Sequence, residues 1–333
     1  MSKQALSDSM DDQLQRLVVQ LFDADSISRV EVIQTLWSGY GQILKVTLDG
    51  GSAASVILKH VTPPSQASHP RGWSTDRSHQ RKLRSYQVES AWYRDWSGRC
   101  GDRCRVPKCY LIDDSQGRAV FVLEDLDAAG FSARRSGLKI DAVKTCLSWL
   151  AEFHAEFIGE QPARLWSIGT YWHLDTRPDE WDVMPAGPLK DAAKKIDAAL
   201  RESPYQTFVH GDAKVANFCF TPEGDAVAAV DFQYVGGGCG MKDVAYLLGS
   251  CISDDDCEQY EQELLWHYFE RLGEAISRSE KQVDAVALER NWRTMFPLAW
   301  ADFNRFLEGW CPGHQKLTGY SQKIAVSVVR SLD

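Results

Sequence analysis

Three polar residues that suit phosphoryl transfer stand close together in the segment 208–233. Asp212 follows a short apolar run, and Asn217 lies five residues further on. A turn over 221–225 and a second apolar run then lead to Asp231. If the two apolar runs pair as a hairpin, Asp231 returns to the side of Asn217, because cross-strand neighbours lie on the order of 5 Å apart.

Each of these residue types has a part in moving a phosphoryl group. An Asp accepts the proton of the attacking hydroxyl, while the protein positions that nucleophile and neutralises the phosphates. An Asn and a second Asp offer hard oxygen ligands to Mg²⁺, which keeps several waters and binds substrate phosphates. Taken singly, Asp212 is better explained as a turn cap and Asp231 as an ordinary acid at a strand end. The ordered set instead predicts Asp212 as catalytic base and Asn217 and Asp231 as metal ligands.

This segment resembles the catalytic segment of the aminoglycoside phosphotransferase and choline kinase superfamily, whose members are relatives of the protein kinases. The resemblance lies in His210-Gly211-Asp212 with Asn217 and then Asp231, and it extends over most of the chain. Three further segments, 86–93, 165–172 and 299–310, are most similar to the choline-kinase-like, ecdysteroid-kinase-like branch. Asp243 resembles the acid at a helix start that braces the catalytic loop, and it is also a plausible helix N-cap.

The resemblance implies a protein-kinase-like two-lobed α+β fold, with ATP and Mg²⁺ as cofactors. It also implies nucleotide-binding residues in the first lobe. Lys59 ends an apolar run in the place of the third-strand lysine that grips the phosphates, and Glu89 lies on the following helix, where an acid holds that lysine. The alternative for Glu89 is a solvated helix charge.

The resemblance also implies nucleotide-binding residues in a loop and in the hinge between the lobes. Ser38, Gly39 and Gly41 fall between the first two strands, where a kinase folds a loop over the phosphates, although they depart from a full Gly-x-Gly-x-x-Gly. Glu124 and Leu126 fall at the hinge between the lobes, whose backbone pairs with the adenine edge.

Three features near the catalytic segment depart from the protein kinases or invite another interpretation. Lys214 matches a protein-kinase lysine that neutralises the transferring phosphate, whereas an exposed loop charge explains it equally well. Gln233 replaces the glycine of Asp-Phe-Gly, which indicates a site without a mobile activation segment. The glycine-rich run 236–240 is expected to be a flexible connection to the helix of Asp243.

Hydrophobic periodicity predicts a small β lobe followed by a larger helical lobe. The first lobe is expected over 1–126, with five antiparallel strands and one helix besides a short amphipathic helix at 10–23; the catalytic and substrate-binding lobe is expected over 127–333. The strands are predicted at 29–37, 42–48, 53–61, 108–112 and 119–123, and the helix of this lobe at 80–96. Helices are then predicted at 143–158, 189–200, 243–251, 257–276 and 285–310.

Composition limits the class of protein. The 333 residues are 44% hydrophobic and 25% charged, as in folded globular proteins, and a formal charge of −9 gives little help to binding nucleic acid or an anionic membrane. The polar, acidic N-terminus and the lack of an 18-residue apolar span predict a cytoplasmic protein. Nine cysteines do not suggest a disulfide framework, and the cluster Cys100, Cys104 and Cys109 lacks the spacing of common zinc sites.

The acceptor is expected to be a small hydroxylated molecule, which is choline-like, aminoglycoside-like or steroid-like. One helical face carries Phe296, Trp300, Phe303, Leu307 and Trp310, which either line the acceptor site or belong to the core. Lining rings would suit a quaternary amine or an apolar body. The alternative function is a noncatalytic nucleotide-binding scaffold, and a protein kinase is disfavoured because no activation-segment signature is present.

Overall fold

The computed structural model describes residues 10–36, 39–63, 76–114 and 118–332. Its contacts divide the chain into two units. The first comprises Met1–Gly98 with Pro107–Ser132, and the second comprises Arg99–Val106 with Ala133–Asp333. None of the helices in the described part of the chain has the length and apolar character that a membrane span requires.

The first unit is built on a five-stranded antiparallel sheet. Its strands are β1 (Ser26–Thr35), β2 (Gly41–Asp49), β3 (Ser55–Val61), β4 (Cys109–Asp113) and β5 (Ala119–Glu124). They lie in the order β1-β2-β3-β5-β4, so that β3 sits in the centre. In β2, Leu44, Val46 and Leu48 alternate with less buried residues and point into the core, as strand periodicity requires.

Two helices accompany this sheet. Helix α1 (Asp12–Phe22) begins at an N-cap, Asp11, whose side chain accepts a hydrogen bond from the Leu14 amide at 2.7 Å. Its buried residues Val18 and Phe22 join the core formed by β1, β2, β3 and β5. Helix α2 (Asp76–Ala91) follows β3 and passes directly into a π-helical turn, Trp92–Trp96. The predicted α+β fold class is confirmed.

The second unit is mainly helical. Its helices are α3 (Ile140–Phe157), α4 (Pro178–Val183), α5 (Pro188–Arg201), α6 (Met241–Cys251), α7 (Asp254–Arg278), α8 (Ala285–Trp310) and α9 (Gly319–Leu332). Helix α3 packs on α7, and α8 packs on α5, α6 and α9. The aromatic face predicted on α8 is mostly buried, and most of the opposite side is buried as well, including Asp302 and Arg305.

Four short strands connect these helices and carry the chemistry. Strand β6 (Thr207–Val209) pairs with β9 (Gly236–Gly238), and β7 (Phe218–Phe220) pairs with β8 (Val227–Ala229) as an antiparallel hairpin. The expectation of a flexible connection at 236–240 was wrong for its first three residues, which form a buried strand. Glycine is needed there for close packing, because a Cβ on Gly236 would lie 2.2 Å from the Trp166 carbonyl oxygen.

Candidate active site

The catalytic segment runs from β6 to the end of the β7–β8 hairpin. Asp212 follows β6, and a 3₁₀ turn, Val215–Asn217, leads into β7. Hydrogen bonds within the second unit hold the loop of Asp212 and the side chain of Asn217.

Asp243, near the start of α6, fixes the backbone ahead of Asp212. Its carboxylate accepts hydrogen bonds from the backbone amides of His210 at 2.5 Å and Gly211 at 3.0 Å. The imidazole Nε2 of His154 lies 3.2 Å from the same carboxylate. Asp243 and His154 are both fully buried, so the catalytic loop is tied to the interior of the second unit.

Two side chains hold one oxygen of the Asp212 carboxylate, and the charge of this carboxylate acts on the nearby Tyr246 hydroxyl. Its Oδ2 atom accepts hydrogen bonds from Lys214 Nζ at 2.9 Å and from Asn217 Nδ2 at 3.1 Å. Its Oδ1 atom is buried and has no hydrogen-bond partner in the described part of the chain. A carboxylate oxygen that is oriented, buried and still able to accept a proton suits a general base.

Lys214 is an ion-pair partner of Asp212. Its side chain is about one-third exposed, at 37%. Burial alone would lower the pKa of Lys214, but the neighbouring charge and hydrogen bond of Asp212 outweigh it and raise that pKa. The ammonium group is therefore charged at neutral pH beside the Asp212 carboxylate.

The β7–β8 hairpin brings Asn217 and Asp231 to the same end of two paired strands. Phe218 pairs with Ala229, and one step beyond, the Val230 amide donates to the Asn217 carbonyl at 3.0 Å. Asp231 follows directly and has a left-handed backbone, with φ +70°. An L-residue rarely adopts this conformation outside turns and functional sites.

In the first unit, Lys59 and Glu89 form the ion pair expected from the sequence. Lys59 Nζ donates to both carboxylate oxygens of Glu89 at 2.7 Å. Lys59 lies in the central strand β3, Glu89 lies on α2, and the two residues are 4% and 1% exposed. A solvated helix charge therefore does not describe Glu89.

The glycine-containing turn between β1 and β2 is only partly described, since Ser38 lies outside the described residues. Gly39 has φ +73° and no atom near the position of an added Cβ. Gly41 begins β2, and a Cβ there would lie 2.0 Å from the His60 carbonyl oxygen. Packing within the sheet thus accounts for glycine at position 41 without any ligand. Tyr40 is buried between them, and its hydroxyl lies 2.5 Å from His79 Nδ1.

The predicted hinge residues lie at the end of β5. Glu124 is the last residue of this strand, and Leu126 is buried. Between them, Asp125 accepts hydrogen bonds from Ser55 Oγ at 2.6 Å and lies 2.8 Å from Lys45 Nζ. Burial would raise the pKa of Asp125, but these two partners lower it. The backbone here is thus anchored to β2 and β3.

Comparisons with known proteins agree with this architecture. A protein from Ralstonia eutropha assigned as an aminoglycoside phosphotransferase has 14% identity, with 95% of this chain and 94% of that chain covered and a TM-score of 0.54. An amicoumacin kinase solved with AMP-PNP and Ca²⁺ has 16% identity, coverage of 99% and 96% and a TM-score of 0.50. An ethanolamine kinase from Plasmodium vivax has 12% identity, coverage of 93% and 85% and a TM-score of 0.51. At such identities the likeness shows the fold.

The sequence itself matches the model of the ecdysteroid kinase-like family over residues 86–157 and 189–280. These segments include Glu89 and the whole run from His210 to Asp243. These segments make up just under half of the chain, and the match supports the resemblance to the aminoglycoside phosphotransferase and choline kinase superfamily that the sequence predicted. A small-molecule kinase is the kind of enzyme that this family match supports. No curated protein matches the sequence.

Three residues near Asp212 were not among the catalytic, nucleotide-binding and metal-binding residues predicted from the sequence. The Tyr171 amide donates to the Gly211 carbonyl at 3.2 Å, and the Tyr171 and Tyr246 hydroxyls lie 3.2 Å apart. Burial, followed by the charge of Asp212, raises the pKa of both tyrosines. Lys316 Nζ lies 4.6 Å from the centre of the Tyr246 ring. These residues come from distant parts of the chain, so no local spacing could have joined them.

The Lys59–Glu89 pair leads to a measurable prediction. Lys59→Ala and Glu89→Ala should each lower turnover, and the double variant should be little worse than either, because each single change already removes the same buried ion pair. A double-mutant cycle on unfolding should give a coupling of about 1–3 kcal/mol. The matched control is the ion pair of Arg94 and Asp114, whose charged atoms are 2.6 Å apart and whose side chains are 33% and 47% exposed, respectively. Because this pair is exposed, its coupling should stay below about 1 kcal/mol. Additive effects at Lys59 and Glu89 would mean that the pair does not act as a unit.

Proposed function

We propose that this protein transfers the γ-phosphoryl group of ATP to a hydroxyl of a small molecule. The observation that carries the proposal is the Asp212 carboxylate, whose Oδ2 is held by Lys214 and Asn217 while its buried Oδ1 has no hydrogen-bond partner among the described residues. In this arrangement Oδ1 accepts the proton of the acceptor hydroxyl as the oxygen attacks phosphorus.

The residues present fit a magnesium ion. The hairpin places Asn217 and Asp231 on adjoining strand ends, and both offer the oxygen ligands that Mg²⁺ prefers. The described residues contain no group of three or more His, Cys, Asp or Glu side chains that could hold a metal without substrate. This matches an ion that takes few protein ligands and completes its shell with waters and phosphates. When bound, Mg²⁺ neutralises charge on the phosphates.

Lys214 and Asn217 have positioning roles in this proposal. Asn217 Nδ2 also donates to the Asp212 backbone carbonyl at 2.8 Å, which fixes the amide group and turns its oxygen away from Asp212. Lys214 holds the base before reaction, and its positive charge also suits the transferring phosphate.

The nucleotide-binding residues proposed in the first unit are Lys59, Glu89, Gly39 and the backbone of Glu124 and Leu126. Glu89 holds the ammonium group of Lys59 at 2.7 Å from both carboxylate oxygens, so its position is set before ATP arrives. Ser38 remains a prediction from the sequence, and Gly41 is explained by packing within the sheet.

Thermal unfolding tests the nucleotide site independently of any acceptor. Mg²⁺ and ATP together should raise the melting temperature, because a ligand that binds only the folded state stabilises it by about 2.7 kcal/mol at one hundred times its Kd. Mg²⁺ alone, or ATP with a chelator, should give a much smaller shift. An unchanged melting temperature at millimolar Mg-ATP would count against the nucleotide site.

Formation of ADP tests the transfer reaction. A panel of hydroxylated metabolites is incubated with the protein and Mg-ATP, and acceptor-dependent ADP release is measured. The proposal predicts release with at least one class of acceptor. A noncatalytic scaffold predicts the thermal shift without any acceptor-dependent ADP.

A further inference from the structure

Lys316 holds a fixed position beside the catalytic loop. It lies in the segment between α8 and α9, where its backbone amide donates to His314 Nδ1 at 3.1 Å and its carbonyl accepts from Ser321 Oγ at 3.2 Å. The neighbouring Leu317 packs against the aromatic cluster formed by Trp172, Tyr246, Phe303, Phe306 and Leu307. The segment that carries Lys316 is therefore fixed against this cluster.

The ammonium group of Lys316 lies on aromatic rings. Its Nζ atom is 4.6 Å from the centre of the Tyr246 ring and 5.7 Å from that of Phe303. Tyr246 in turn contacts Tyr171 through their hydroxyls at 3.2 Å, and Tyr171 is bonded through its amide to Gly211, next to the base. A short chain of contacts thus joins Lys316 to Asp212.

Lys316 differs from the buried cations around it. Lys242 lies 3.5 Å from Asp302, and Arg305 lies 2.7 Å from the same carboxylate. Within the described part of the chain, no carboxylate lies within 4.0 Å of Lys316 Nζ. Burial lowers the pKa of Lys316 to about 8, against the opposing influence of Asp212. A half-buried charge without an ion-pair partner is costly unless a ligand supplies the partner.

The position of Lys316 also bears on the acceptors considered from the sequence. Aromatic rings near the base would suit a quaternary amine through cation–π contact. In this protein a cation of the chain already lies on the Tyr246 ring, so a second positive charge there would be repelled. The same ammonium group attracts an oxyanion, and the surrounding rings suit an apolar or aromatic body.

We propose that Lys316 binds an oxyanion on the acceptor, such as a carboxylate or a sulfate, so that the substrate is a hydroxylated anion with an apolar body. This inference rests on the proposed phosphotransferase function and names the substrate class for the same site. Lys316 contacts the acceptor at a distance from its reacting hydroxyl and leaves ATP binding to other residues.

A matched set of acceptors tests the proposal. The set is 4-(hydroxymethyl)benzoate, 4-(hydroxymethyl)benzamide and 4-(aminomethyl)benzyl alcohol, which share a ring and a hydroxyl but are anionic, neutral and cationic. They are assayed for ADP formation with Mg-ATP inside a wider panel of hydroxylated acids, neutral alcohols and amino alcohols. Anionic acceptors should give the highest kcat/KM, both in the matched set and across the panel.

Variants locate the effect at Lys316. Lys316→Met should raise KM for anionic acceptors by roughly 10- to 100-fold, the range expected when a charged hydrogen bond is lost, and should leave KM for ATP unchanged. Lys316→Arg should retain most of the preference, because it keeps the charge. The control is Lys323→Met, which removes a lysine whose side chain is 74% exposed, and it should behave as wild type.

The outcomes separate the inference from the function on which it rests. Preference for cationic or neutral acceptors, or a Lys316→Met effect on KM for ATP instead of the acceptor, would overturn the role of Lys316 while leaving the kinase function intact. Binding of Mg-ATP without ADP formation for any member of the panel would overturn the proposed function and this inference with it. Melting temperatures of all variants establish that each is folded.

Discussion

Replacing Asp212 with Asn is expected to lower turnover by roughly a hundredfold or more while Mg-ATP binding stays nearly intact. The substitution keeps the shape of the side chain but removes the proton acceptor, and the Oδ1 atom that we assign to the acceptor hydroxyl is buried with no partner in the described chain. Steady-state rates with an identified acceptor measure the loss. Calorimetric titration of ATP, with and without Mg²⁺, measures the binding that should remain.

The Asp231→Asn variant is the matched comparison. It removes a charge from the proposed metal site, so magnesium-dependent ATP binding should weaken together with turnover. If Asp212→Asn abolished nucleotide binding and Asp231→Asn spared it, the two roles would be reversed. If neither substitution affected turnover, the kinase function itself would be wrong.

Replacing Asp243 with Asn is expected to destabilise the second unit by about 3 kcal/mol or more and to abolish most turnover. The fully buried carboxylate accepts hydrogen bonds from the backbone amides of His210 and Gly211 and lies 3.2 Å from His154 Nε2. The Asn side chain has a single oxygen, so its NH₂ group would face N–H groups that are themselves donors. Urea unfolding measures the loss of stability.

Asp255→Asn is the control for this prediction. Asp255 is an exposed acid in the first turn of α7, so its substitution should change the free energy of unfolding by no more than about 0.5 kcal/mol. A stable Asp243→Asn variant with normal rates would show that the catalytic loop does not depend on this carboxylate.

Local periodicity and turn chemistry predicted most of the elements of this fold. The five strands of the first unit were placed within about three residues, because alternating apolar residues and the turn at Asp49-Gly50-Gly51 leave few alternatives. The β7–β8 hairpin was predicted for the same reason, and with it the approach of Asn217 to Asp231. The superfamily and the fold class inferred from these residues are confirmed.

Long-range packing could not be predicted in this way. A run of glycines usually indicates flexibility, but Gly236–Gly238 forms a strand that pairs with β6, and Trp166 and Ser167 lie too close to Gly236 and Gly237 for a side chain to fit there. The aromatic face of α8 was expected either to line the acceptor site or to lie in the core. Trp300 and Phe303 are buried and pack on other rings, Trp300 on Tyr320 and Phe303 on Trp172 and Tyr246, whereas a place in the acceptor site stays a prediction.

The candidate site likewise contains residues that could be predicted and residues that could not. The pairing of Lys59 with Glu89 followed only from family resemblance, because the two residues are 30 positions apart and the sequence between them carries no pattern that brings them together. Lys316 gave no signal at all, since a single lysine in a polar segment has the appearance of a surface charge. Its significance depends on Tyr246, which lies 70 residues earlier in the chain.

The left-handed backbone of Asp231 bears on how such a chain can change over evolutionary time. A β-carbon in this conformation costs on the order of 1 kcal/mol, and glycine avoids the cost. Backbone conformation therefore gives no advantage to an acid at this position, and the proposed role in binding Mg²⁺ is what accounts for the carboxylate. If the reaction were no longer under selection, replacement of Asp231 by glycine would carry no cost in backbone conformation. A single substitution would therefore separate such an enzyme from a nucleotide-binding protein without activity.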